Sequence, residues 1–254
     1  MFGIFPFFSP LNLELIPDSR IVDVFSDWFL FDVANKEKNK KLCFQQLNNI
    51  TLQAFSSPHI ATIVTDASVK NDIATLVSHI HIHNHPLIKT VHHAAFVTST
   101  EAELFAIRCG INQACSKENV SKIIVVTDSI HVAKKLFDDK SIPYQIHMTA
   151  ILHELWQFFS THQENSIEFC KCPSHLNWRL HQSVDKELKS FNPQSLFPSK
   201  ISWDYCKKSD SDNIINQWKI TFQVSDGKGR NFLDLVDNNY KIIEPSYIKG
   251  GPWL

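Results

Sequence analysis

The chain has 254 residues, 43% hydrophobic and 20% charged, with a formal net charge of −1; this suits one substantial core with appendages and gives no basic field to advertise nucleic-acid binding. Its glycines are Gly3, Gly110 and a few at or beyond Gly227, which removes the glycine-rich phosphate loops of P-loop and dinucleotide folds. The 6 cysteines show no CxxC spacing and no run approaches ~20 apolar residues, so neither a disulfide framework nor a membrane span is expected, and the predicted compartment is a reducing one inside the cell, cytoplasm or nucleus.

Residues 1–58 read as an N-terminal extension of uncertain structure. Residues 22–33 are rich in aromatics (Phe25, Trp28, Phe29, Phe31), and residues 36–41 form a charged break, a solvated loop or the start of a helix. The patterned part of the chain is residues 59–190. Its first signal is Ile60-Ala61-Thr62-Ile63-Val64-Thr65-Asp66, a β-branched run that predicts a buried strand closing on a carboxylate. Residues 74–82 and 91–98 predict a second and a third strand. A helix then opens at Thr100-Glu101-Ala102-Glu103, with Leu104, Ile107, Ile111 and Ala114 as its apolar stripe. The first pattern recurs at Ile123-Ile124-Val125-Val126-Thr127-Asp128-Ser129, a fourth strand ending on Thr-Asp, followed by a helix through Phe137. Residues 151–159 predict a further helix, residues 166–172 a fifth strand and residues 178–188 a last helix. The order gives a five-stranded mixed sheet flanked by helices, an antiparallel half leading into crossover units.

If the two Thr-Asp strands are neighbours, Asp66 and Asp128 come together, and adjacent carboxylates repel unless something neutralises them, commonly a divalent metal. Each acid also has a plainer reading: Asp66 and Asp128 as caps, Glu103 as a first-turn acid favouring the helix dipole, Asp185 as a solvated surface charge. The alternating His79, His81, His83 and His85 predict one polar, partly exposed strand face, with Zn2+ or Cu2+ binding as the rarer use of such spacing. Beyond Ser190, residues 191–254 form a C-terminal extension. There Ser209-Asp210-Ser211-Asp212 reads as a linker, and the alternation of Trp218, Ile220 and Phe222 before Ser225-Asp226-Gly227 reads as a small β-hairpin. The ending at Gly250-Gly251-Pro252-Trp253-Leu254 reads as a truncation.

Thr65-Asp66-Ala67-Ser68, then Thr-Glu-Ala-Glu-Leu opening a helix, then Val-Thr-Asp-Ser, then Pro173-Ser174-His175 with Asp185 beyond it, resembles the ribonuclease H family. The closest resemblance is to the RNase H-like domains of retroelement polyproteins, of the fungal non-LTR type in particular. The resemblance implies an RNase H-like fold over residues 59–190 and a Mg2+-dependent ribonuclease that cuts the RNA strand of RNA–DNA hybrids. It implies two Mg2+ ions, with Mn2+ as a substitute, held by Asp66, Glu103, Asp128 and Asp185. His175 matches the family's mobile histidine near the leaving group, and Thr98 and Ser68 fall at substrate-binding positions. Glu101 competes with Glu103 as a ligand, and the family's Ala-Glu-Leu pattern favours Glu103. It implies further that the chain is part of a larger reverse-transcriptase polyprotein. Several positions depart from the family pattern: Ala67 and Ser174 stand where glycine is usual, Ser99 and Thr100 where asparagine often reads the RNA 2′-hydroxyl, and His181-Gln182 where an asparagine–glutamate pair is expected. Those departures leave open an alternative, a domain that keeps the fold and binds nucleic acid or a protein without cutting.

Overall fold

The computed structural model describes residues 21–22, 36–129, 132, 136, 146–173, 176–191 and 202–224. The aromatic segment after Val22, most of the helix expected through Phe137, His175, and the turn at residues 225–229 lie outside them. The chain divides into two compact units, Met1–Lys200 and Ile201–Leu254.

In the first unit the strands are β1 (Ile21–Val22), β2 (Ile60–Lys70), β3 (Ile73–His81), β4 (Ile88–Ala95), β5 (Lys122–Thr127) and β6 (Ser166–Lys171). The helices are α1 (Lys36–Ser56), α2 (Ser99–Cys115), α3 (Ile146–Thr161) and α4 (Arg179–Ser190). The sheet runs β1-β6-β5-β2-β3-β4. The expected five strands are present, and the two-residue β1 adds a sixth at the edge, parallel to β6. The charged break at residue 36 is the start of α1.

Strand β2 is antiparallel to β3 and parallel to β5, so it is the seam between the hairpin half and the crossover half. It does not stop at Asp66: it runs on to Lys70 and turns into β3 through Asn71 and Asp72, both at positive φ (50° and 60°). Two residues at positive φ make the type I′ turn that matches strand twist, and Asn and Asp tolerate that region better than other side chains. The β5 ladder, by contrast, ends before Asp128.

Alternation along the strands sends side chains to two cores. Ile63, Ile123 and Val125 face Leu104, Ile107 and Ile111 of α2 and Ile151 and Leu155 of α3. Val64, Ile124 and Val126 face Cys43 and Leu47 of α1 and Leu180, Val184 and Leu188 of α4. Burying both faces explains why these strands read as near-continuous β-branched runs. Trp178 is buried where α1 meets the entry to α4, and its indole N–H donates to Thr51 Oγ1 at 3.1 Å.

The histidine ladder is corrected on two points. The strand ends at His81, so His83 and His85 do not continue its face. His79 and His81 are buried, not partly exposed. The His79 ring lies 2.7 Å from Glu187 Oε2 through Nε2 and 2.9 Å from Ser183 Oγ through Nδ1, both on α4. Nε2–H donates to the carboxylate, which leaves Nδ1 to accept from the hydroxyl. His81 packs edge-on against Phe55 of α1, and burial pushes its pKa down to about 4. No metal-ligand group forms from the ladder among the described residues.

In the second unit, α5 (Trp203–Val224) replaces the expected strand: Trp218, Ile220 and Phe222 are helical, and Ser209-Asp210-Ser211-Asp212 lies within the same helix. A six-residue alternation is short enough to fit either period, and the longer window decides it.

Gly110 sets the approach of α2 to the sheet, because a Cβ there would overlap Ile63 Cγ2. Alanine is the better helix former by up to ~1 kcal/mol, but overpacking a filled core costs ~1–3 kcal/mol, so the clash wins. Gly110→Ala should lower the urea-unfolding free energy by about 1–2 kcal/mol; an unchanged or raised midpoint would show that the contact yields freely.

Candidate metal-binding site

The register of β2 with β5 runs from Ile60↔Lys122 to Val64↔Val126. Carried two residues further, it sets Asp66 level with Asp128. Each carboxylate is held by its neighbourhood. Ala67 N–H donates to Asp66 Oδ1 at 2.8 Å. Behind β5, Ser129 N–H donates to Thr127 Oγ1 at 3.1 Å and Cys172 N–H to Thr127 O at 2.9 Å, which fixes the backbone on either side of Asp128.

From the second turn of α2, Glu103 comes in beside them, 7% exposed, with Oε2 lacking any hydrogen-bond partner. Burial, then the charges of Asp66 and Asp128, push its pKa up to about 9. Burial and the Asp128 charge likewise raise Asp66 to about 7. Glu101, the competing acid, is engaged in the helix cap. Glu101 Oε2 accepts from the Thr98 N–H at 2.8 Å and from Thr98 Oγ1 at 3.0 Å, while Thr98 Oγ1 accepts from the Glu101 N–H. Glu101 and Thr98 therefore form a reciprocal capping box, and Glu103 alone of the pair points at the aspartates.

His181 is the residue that sequence reasoning passed over. Its Nε2 lies 4.0 Å from Asp66 Oδ2 without a hydrogen-bond partner, and Asp66, Asp128 and His181 offer ligand atoms that all lie within 4.8 Å of one another. The signal was its spacing from Asp185: positions i and i+4 share one helix face. Asp185 itself turns outward, its carboxylate 2.7 Å from Lys189 Nζ. It is close enough to add to the raised pKa of Asp66, yet it is not in the three-residue group. Ser68 is exposed on the far end of β2. The donor set fits a divalent cation: two aspartates and an imidazole in reach of one ion, with buried, unpartnered oxygens on Asp128 and Glu103 beside them.

Carboxyls whose folded pKa lies above the unfolded value stabilise the fold in their protonated state. Their contribution is full below the ordinary values of 3.8 and 4.5 and is lost as pH rises through about 7 for Asp66 and about 9 for Glu103. The metal-free protein should thus lose stability from about pH 4 to about pH 9. Glu103→Gln, neutral throughout, should melt above wild type at pH 8 and near it at pH 5, as read by thermal denaturation in chelator. A variant melting below wild type at pH 8 would mean that the carboxylates are not crowded.

Residues 60–172 match the family described as reverse transcriptase-like. Among solved structures, that of RNase H1 from the halophilic archaeon Halobacterium salinarum NRC-1 is similar, at 12% identity and a TM-score of 0.39, over 52% of this chain and 98% of that one. No curated protein matches. No described helix is long and apolar enough to cross a membrane. That match covers the strands that carry Asp66 and Asp128, and the five principal strands stand in the order β6-β5-β2-β3-β4: residues 60–172 belong to an RNase H-like domain, a fold that suggests nuclease-type function.

Proposed function

We propose that the protein is a Mg2+-dependent endoribonuclease that cuts the RNA strand of RNA–DNA hybrids, and that it derives from the reverse-transcriptase polyprotein of a retroelement. The observation that carries the reading is the convergence of Asp66, Asp128 and Glu103 within the matched segment, with buried, unpartnered oxygens on Asp128 and Glu103. Such a cluster opposes folding, and a bound cation relieves it.

Asp66, Glu103 and Asp128, with Asp185 as the fourth acid, would hold the ions, and two Mg2+ would supply charge neutralisation at the scissile phosphate and a nucleophilic water at neutral pH. The chain's own residues do the rest. The Asp66 carboxylate is oriented by the Ala67 N–H, and Glu103 closes the buried side of the site, where bulk water is excluded. Thr98, at the N-terminus of α2, and Ser68, on the exposed end of β2, would meet the substrate backbone. As the phosphorus–oxygen bond opens, His175 would help the leaving oxygen take a proton. The six cysteines are all free thiols, which accords with an intracellular setting, cytoplasmic or nuclear.

The second reading, a domain that binds without cutting, draws on Asp185, which is engaged by Lys189. A labelled RNA–DNA hybrid separates the two. Wild type should cleave the RNA strand with Mg2+ and stop on chelation, and Asp128→Asn should abolish cleavage while staying folded. His175→Ala should slow turnover ~10–100-fold with Mg2+ affinity nearly unchanged. Tight hybrid binding without any cleavage in Mg2+ or in Mn2+ would sink the enzyme reading and leave the binding one.

A further inference from the structure

We propose that His181 is a direct metal ligand, and that it tunes the Asp66–Asp128 site to Mn2+ over Mg2+. The inference deepens the proposed function and rests on its reading of the acids as a metal site.

Three observations carry it. First, the His181 side chain is 13% exposed, and its Nε2 is buried without a hydrogen-bond partner. At 4.0 Å from Asp66 Oδ2, that nitrogen is too far to be a hydrogen-bonded partner of the carboxylate. It is near enough to share an ion, since two donors each ~2.2 Å from a metal lie no more than ~4.4 Å apart. Second, the acids do not depend on His181 to be recognised as a site. Glu103, nine-tenths buried, separately leaves Oε2 unpartnered beside Asp66 and Asp128. Third, His181 is held in place from the other side of its helix. On α4 the buried Leu180, Val184 and Leu188 form the central stripe, with His181 and Asp185 on one flank and Ser183 and Glu187 on the other. Ser183 and Glu187 bind the two ring nitrogens of His79 on β3, so the helix cannot roll to withdraw His181 without breaking both bonds.

The chemistry follows from the donor. Mg2+ demands oxygen, keeps several waters and is satisfied by one or two carboxylates, so an imidazole gives it little. Mn2+ shares those oxygen preferences, loses water more readily as a larger ion and accepts imidazole nitrogen. Two carboxylates and one imidazole therefore favour Mn2+, whereas the Asp185 carboxylate that would have favoured Mg2+ is turned to Lys189.

The test measures Mn2+ and Mg2+ affinity of the full chain by calorimetry, with pulsed EPR of bound Mn2+ to detect coupling to an imidazole 14N. Wild type should bind Mn2+ at least ~10-fold tighter than Mg2+, with 14N coupling. His181→Ala should lose ~10-fold or more in Mn2+ affinity, lose the coupling, and keep its Mg2+ affinity within about threefold, as a water takes the vacated position. His181→Asn, closer in shape, serves if the alanine variant unfolds, and the wild-type coupling needs no variant at all. Equal losses for both ions, unchanged Mn2+ affinity, or Mn2+ bound without 14N coupling would overturn the proposal while the acidic site stands. Failure of wild type to bind either ion, with Asp66→Asn behaving alike, would remove the metal-site reading itself.

Discussion

The parallel pairing of β2 with β5 is the constraint on which the rest depends. Its register puts Asp66 level with Asp128, and no rearrangement short of slipping the strands can separate them. A slip by one residue is forbidden by burial. It would exchange Ile63 for Val64, and Ile123 for Ile124, between two cores that are both filled. The hydrophobic patterning therefore enforces a close pair of carboxylates that electrostatics alone would push apart. Glu103 adds to the conflict, because α2 packs closely on the sheet at Gly110 and buries that side chain beside Asp66 and Asp128. A local violation of charge rules, upheld by packing on both faces of the sheet, is a mark of a functional site.

The two sides of the sheet contribute differently. Helix α2 delivers Glu103 rigidly, through a capped N-terminus whose own acid, Glu101, is used up in the cap. Helix α4 delivers His181 and Asp185 from a short element of 12 residues. Its central stripe buries only Leu180, Val184 and Leu188, so its rotation about that stripe needs a further restraint. His79 supplies it, and the burial of that imidazole accounts for its lowered pKa despite the carboxylate beside it. A histidine read from sequence as part of a partly exposed face is thus part of the scaffold that aims another histidine at the acids.

The sheet was legible because each central strand is buried on both faces and so writes itself as β-branched residues, and Asp66 and Asp128 were legible because each follows such a run. Boundaries were less so. Asp66 looked terminal because Ala67 and Ser68 carry no strand signal, yet backbone pairing to β3 continues through Lys70 on the strength of a two-residue turn. His181 was noticed as a departure from a family pattern and not as a donor, because one-dimensional spacing shows which residues share a helix face but not what that face meets. The burial of His79 and His81 was hidden for the same reason: their covers, α4 and Phe55, are distant in sequence. Within α5, six alternating residues outweighed a helical window that the longer segment supports.

A net charge of −1 is a poor starting point for holding a polyanion. Under the proposed function the difficulty and the acidic cluster resolve each other. Carboxylates that crowd one another without metal would become the means of attracting substrate phosphate once cations were bound, since the ions would bring positive charge to the site. Affinity for nucleic acid is then conditional on metal, and it is localised where cutting would occur and not spread over a basic surface. Such an arrangement has few Lys or Arg contacts to lose with added monovalent salt, because little of the binding comes from counterion release by side chains. The identity of the ion then governs substrate binding as well as chemistry, and a single imidazole at position 181 acts on both at once.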